Sequence, residues 1–110
     1  MLVAGVQFPA PRQNKMWYSY ILQSRKNKRL YVGYTNDLKR RFIEHNQKRG
    51  GTYTSKNAPF DLIFYEAYIE KEDAINAELF YKSGYGREVL KGKLKIFFVK
   101  KVAASPAACR

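Results

Sequence analysis

Leu30-Tyr31-Val32-Gly33-Tyr34-Thr35-Asn36-Asp37-Leu38-Lys39-Arg40-Arg41-Phe42-Ile43-Glu44-His45 changes its period in mid-course, and that change decides the fold. Leu30 to Tyr34 is β-branched and aromatic and follows the polar run Arg25-Lys26-Asn27-Lys28-Arg29, as a strand entered from a turn does. Thr35-Asn36-Asp37 then offers N-cap side chains and an early carboxylate, so a helix starts near Asn36. With Leu38 at zero and about 100° per residue, Phe42 falls at about +40°, His45 at about −20° and Arg41 at about −60°. Arg40 and Glu44 fall on the far side. The spacing therefore turns Arg41 and His45 to the border of the buried stripe, toward the strand that carries Tyr31.

Upstream, Trp17 to Gln23 reads as a strand with Trp17, Ser19 and Ile21 on one face and Tyr18, Tyr20 and Leu22 on the other. The short polar connection to Leu30 predicts an antiparallel hairpin. Downstream, Gly50-Gly51 stops the helix, and Gly50 to Pro59 is a loop that includes Tyr53 and Lys56. Phe60 to Tyr68 is dense in Ile, Phe and Tyr and is expected to be the third strand, at the buried centre of the sheet. Lys71 to Lys82 is a second helix with Glu72 and Asp73 in its first turn, where carboxylates suit the helix dipole, and Ser83-Gly84-Tyr85-Gly86 is its stop. A short third helix is expected from Arg87, and Leu94 to Val99 is either strand or helix. Residues 1–15, which contain Pro9 and Pro11, read as a flexible extension, 16–101 as one folded domain, and 102–110 as a disordered tail.

The chain has 110 residues, 45% of them hydrophobic and 15% aromatic, which is enough for a modest core and argues against a disordered chain. A formal charge of +12 exceeds what solubility needs and points to a polyanionic partner, either nucleic acid or an anionic membrane surface. The charge is unevenly placed: from Lys15 to Lys56 there are eleven Lys or Arg against Asp37 and Glu44, whereas Asp61 to Glu78 holds six acids. No apolar run approaches the roughly 20 residues of a membrane span and the start lacks a signal-peptide pattern, so a cytoplasmic protein without membrane attachment is expected. The single cysteine, Cys109, excludes an internal disulfide and a cysteine-rich metal site.

On the second helix, Ala77, Tyr81, Ala74, Ile75 and Leu79 form an apolar arc with Glu78 at its middle. A carboxylate there calls for a partner, either a lysine or arginine or a hard cation such as magnesium, which commonly sits at phosphate chemistry on one carboxylate and several waters. His45 is the sole histidine, which rules out a zinc site built from several. The tyrosines at 18, 20, 31, 34 and 53 suit either core packing or base stacking. Neither a Ser or Cys hydrolase triad nor a P-loop has support, since Gly50-Gly51 lacks the phosphate-loop pattern.

Tyr18-Ser19-Tyr20, Tyr31-Val32-Gly33, Arg41, His45 and a later helix with Glu78 together resemble the GIY-YIG nuclease superfamily. The closer likeness is to its small stand-alone bacterial members, similar to the N-terminal domain of the excinuclease C subunit. The 11 residues from Tyr20 to Tyr31 and the 10 from Tyr31 to Arg41 fit the pattern. Tyr18 and Ser19 stand where glycine and isoleucine usually do, Val32 replaces an isoleucine, and no asparagine follows Asn76. The resemblance implies an α/β fold of the α+β kind, a small three-stranded antiparallel sheet flanked by helices. It also implies a Mg2+- (or Mn2+-) dependent endonuclease that hydrolyses or nicks DNA in repair or processing. By analogy, Tyr31 helps to activate water, Tyr20 and His45 position water or phosphate, Arg41 stabilises developing charge and Glu78 holds the metal. Gly33, Tyr34, Lys39, Arg40, Tyr53 and Lys56 are the expected nucleic-acid contacts. The alternative is a catalytically silent module of the same fold that holds DNA, or RNA, on its basic face.

Overall fold

Trp17–Ser24 (β1) is the strand on which the rest is assembled. In a computed structural model of the protein, which describes residues 15–47 and 56–104, its last six residues are buried. Ile21 and Leu22 are fully so, and the polar Ser19, Gln23 and Ser24 are enclosed with them. The hairpin partner is Leu30–Thr35 (β2), paired antiparallel from Tyr18↔Thr35 through Tyr20↔Gly33 to Gln23↔Leu30. Lys28, with φ of 64°, turns the chain between them.

Leu38–Asn46 (α1) follows, starting a little later than Asn36, because Asp37 is the cap: its carboxylate accepts from Arg40 N at 3.1 Å. Leu38 and Phe42 pack on the cluster Tyr20, Leu22, Ala58 and Phe60, with Tyr31 and Leu62 at its margin. At the helix end Asn46 holds the next strand by its backbone, with Oδ1 accepting from Phe60 N (2.6 Å) and Nδ2 donating to Phe60 O (3.3 Å).

That strand, Phe60–Tyr68 (β3), pairs antiparallel with β1, and the sheet order is β2-β1-β3. The fold is thus a three-stranded antiparallel-paired sheet with helices, α+β, as the sequence implies. The expectation that Phe60 to Tyr68 is the central strand is incorrect, since β1 occupies the centre and β3 an edge. The reason is topological. A strand, helix, strand order is a crossover, which joins strands running the same way, and β3 reaches the side of β1 that β2 leaves open. A bulge between Ile21 and Leu22 shifts the β1–β3 register from Ile21↔Phe64 to Leu22↔Leu62.

Lys71–Lys82 (α2) has the expected bounds. Within it the structure divides into two compact units, between Glu78 and Leu79. The first contains the sheet, α1 and α2 as far as Glu78. In the second, Gly84–Lys93 (α3) starts at the cap Ser83, whose Oγ accepts from Gly86 N at 3.0 Å, so only Ser83 of the expected stop interrupts the helices and α3 begins earlier than Arg87. A Cβ on Gly86 would meet Phe80 O at 1.8 Å: this glycine serves close packing. Lys93 Nζ donates to Tyr81 Oη at 3.1 Å within the same unit. Leu94 caps α3, and the rest of the run to Val99 resolves as helix, part of Lys95–Ala104 (α4), which carries helical backbone past residue 101 where the tail was expected. The rest of that tail and the extension over 1–14 lie outside the described residues. Among the described residues no helix is long and apolar enough to cross a membrane.

Candidate active site

β2 is an edge strand, and its Tyr31, Val32, Gly33 and Tyr34 line one wall of a cleft of about 230 Å3. Tyr20 from β1, Arg41 and His45 from α1, and Glu78 from α2 complete it, all within the first unit. Tyr20 stands opposite Gly33 in the ladder, and its ring occupies the space that any side chain at position 33 would need. The ring thereby reaches across the edge strand to α1, where Tyr20 Oη and His45 Nε2 are hydrogen-bonded at 3.0 Å. Tyr31 packs edge-on against Phe60 at 4.9 Å between ring centroids.

Arg41 and His45 share a helical stripe, as the wheel expects. Arg41 is part-buried, with 31% of its side chain exposed, and its Nη1 donates to Glu44 Oε1 at 3.1 Å. Arg40, at 54%, lies outside the cleft and donates to the other oxygen of Glu44 at 2.8 Å. Two guanidiniums thus hold the Glu44 carboxyl below its ordinary pKa. Burial would lower the Arg41 pKa, but hydrogen bonding to Glu44 and Tyr20 outweighs it and the net shift is upward. This side chain keeps its charge while facing the cleft.

The neighbouring groups stay neutral. Burial pushes the Tyr20 phenol above its ordinary value, the Arg41 hydrogen bond and charge opposing it and the charges of Glu78 and Glu44 adding to it. Burial and the Arg41 charge together depress His45 to about 4, against a weaker pull from Glu44. His45 is 5% exposed, and its Nδ1 is buried without a hydrogen-bond partner among the described residues. Its other ring nitrogen is the one that Tyr20 engages.

Glu78 is half-buried where its flanking Ala74 and Ala77 are buried. Among the described residues no group of three His, Cys, Asp or Glu side chains could hold a metal. A donor set of one carboxylate beside phenol oxygens nevertheless fits a hard cation that retains most of its waters.

Gly33 and Tyr34 fall in the cleft wall. Lys39 and Lys56 are exposed elsewhere in the first unit, and Arg40 is tied to Asp37 and Glu44. Tyr53 lies outside the described residues. Reading the sequence alone misses Val32 as a lining residue and the steric role of Gly33. Only the pairing register, which brings Gly33 opposite Tyr20, could reveal the second.

A family model described as the GIY-YIG catalytic domain matches residues 16–93. The chain belongs to the GIY-YIG family. This is a nuclease superfamily, and the matched span takes in Tyr20 and Tyr31-Val32-Gly33. Among GIY-YIG relatives, a UPF0213 protein of Streptococcus pyogenes serotype M5 (strain Manfredo) is 43% identical over 68 residues, covering 62% of this chain and 73% of its own length. The UPF0213 protein of serotype M3 (strain SSI-1) matches to the same extent. The solution NMR structure of the UPF0213 protein BH0048 from Bacillus halodurans is 34% identical, with a TM-score of 0.45 and coverage of 70% of this chain and 83% of that one.

Proposed function

We propose that this chain is a magnesium-dependent DNA endonuclease, hydrolysing or nicking a phosphodiester at the β2 edge in DNA repair or processing. The observation that carries the reading is the convergence of Tyr20, Tyr31, Arg41, His45 and Glu78, from four separate elements, on one cleft. Manganese would serve in place of magnesium, as both suit oxygen donors.

Glu78 would hold the metal, which when bound supplies positive charge against the phosphate. Arg41 supplies a fixed second charge, already offset by its pairing with Glu44, and stabilises the negative charge that builds on the phosphoryl oxygens. Tyr31, in its phenolate form, would take the proton of the attacking water as the new P–O bond forms and the ester P–O bond breaks, the leaving oxygen taking a proton from solvent. Tyr20, held as a neutral phenol between His45 and Arg41, orients water or a phosphate oxygen by hydrogen bonding. His45 acts through Tyr20 and is a positioning residue. The basic residues between Lys15 and Lys56 draw DNA to the protein, so binding weakens steeply with salt.

The test is a cleavage screen on plasmid, flapped and branched DNA with and without magnesium. Nicking that requires the metal and is lost in Tyr31→Phe supports the reading. An inert protein with magnesium and with manganese, on every one of these DNAs, overturns it and leaves a binding module.

A further inference from the structure

We infer that a second depression, beside α1 and distinct from the cleft, receives an unpaired nucleobase of the DNA. It encloses about 550 Å3 and is built from Tyr18 on β1, Leu62 and Tyr65 on β3, and Leu38, Lys39 and Phe42 on α1. The Tyr18 and Tyr65 rings meet edge to face, 5.9 Å between centroids and 67° between planes. Tyr65 is 53% exposed, a large aromatic surface left to solvent beside an apolar floor, and Lys39 supplies a cation at the lip.

An aromatic wall with an adjacent cation is what a base and its phosphate require. Stacking satisfies the flat faces of any base, and the ammonium meets the backbone. A paired base in a duplex already has both faces covered by its neighbours, which selects an unpaired one. The formal charge of +12 on the chain favours a polyanionic occupant, with Lys39 as the cation among the lining residues. Asp37 also borders the depression, but its carboxylate is engaged by Arg40. Tyr18 itself stands at the position where the first motif usually has glycine, and a glycine there would remove one side of the wall.

Leu38 and Phe42 line this depression and Arg41 and His45 line the cleft, so α1 contributes to both. The lining residues of both that α1 supplies lie within this one helix of nine residues, on the order of 14 Å long. As a statement about substrate, this rests on the cleft taking the scissile phosphate. The preferred DNA then has an unpaired stretch within a few nucleotides of the cut, as in a flap.

The test measures binding of the full chain, without divalent metal, to a plain duplex, a flapped duplex and the same flap made abasic, with an RNA flap as a fourth probe. Tyr65→Ala is expected to weaken binding of the base-bearing flap roughly tenfold, with duplex binding unchanged and Tyr65→Phe retaining wild-type affinity. The abasic flap is expected to cost wild type the same factor and to cost Tyr65→Ala nothing more, because ring and base are lost as one contact. Equal weakening on flap and duplex, independent effects of ring and base, or an unchanged affinity overturns the proposal, and tighter binding of the RNA flap overturns its assignment to DNA. Metal-dependent cleavage is scored separately. Its absence with the stacking result intact refutes the cleft and leaves the base site, whereas its presence without a stacking effect does the reverse.

Discussion

Gly33 and Tyr20 face each other across the hairpin so closely that a Cβ on Gly33 would lie 2.5 Å from Tyr20 Oη and 2.7 Å from Cζ. The glycine of one motif is therefore the vacancy filled by the tyrosine of the other, and the two motifs form a single device for delivering a phenol to α1. Gly33→Ala must push the Tyr20 ring away from His45. Its expected cost is about 1–3 kcal/mol, as for other overpacked sites. Denaturant unfolding checks this through coupling: in a Tyr20→Ala background the same substitution should cost less than half as much. Additive losses would mean that the two residues do not compete for space.

Glu78→Gln keeps the shape and hydrogen bonding of the side chain but removes its charge. Cleavage in magnesium is expected to fall about 100-fold or more, the equivalent of several kcal/mol in the barrier. The melting temperature and DNA affinity should stay near wild type. Wild-type cleavage by this variant would remove Glu78 from the site.

The two adjacent arginines are expected to behave differently. Arg41→Ala takes a charge out of the cleft and should reduce kcat by roughly 100- to 1,000-fold. Arg40→Ala breaks exposed pairs with Asp37 and Glu44, worth under about 1 kcal/mol, and should leave kcat within a few-fold. Single-turnover rates separate the two. Comparable losses would show that charge near the cleft, rather than position within it, is what matters.

His45 sets a pH dependence of stability. Its folded pKa of about 4 lies below the ordinary 6.5, so between these values the unfolded chain binds a proton that the fold excludes. This contribution is complete above pH 6.5 and is lost as pH falls toward 4, on the order of 2–3 kcal/mol in all. Melting temperatures at pH 7 and 4.5 should therefore diverge more for wild type than for His45→Gln. In addition, Arg41→Ala should raise the His45 pKa read by NMR titration, because the Arg41 charge is one of its causes. Parallel pH curves would place His45 in solvent.

The direction of Arg41 and His45 is legible in the sequence, since 100° per residue fixes which side chains of a helix share a stripe. The position of the cap is less so: Thr35, Asn36 and Asp37 all have capping side chains, and only the Arg40 N–H chooses Asp37 among them. Strand order is not legible. The apolar density of Phe60–Tyr68 exceeds that of β1, yet β1 is central, because Ser19, Gln23 and Ser24 are buried by position rather than by hydrophobicity. Gly86 misleads as a stop signal because glycine is used equally to end a helix and to let two backbones touch. In the candidate site, the polar residues are readable and the void that admits Tyr20 is not, since a void belongs to a pair of strands and to neither sequence alone.

The cleft wall is also the free rim of the sheet. An edge strand offers its row of backbone N–H and C=O groups to any extended chain that approaches, and β2 is such an edge among the described residues. A peptide or a neighbouring molecule that zipped onto Tyr31 to Tyr34 would cover the residues that line the cleft. On the proposed function, self-pairing along this rim would compete with DNA for the same wall, so crowding by its own kind would lower the activity.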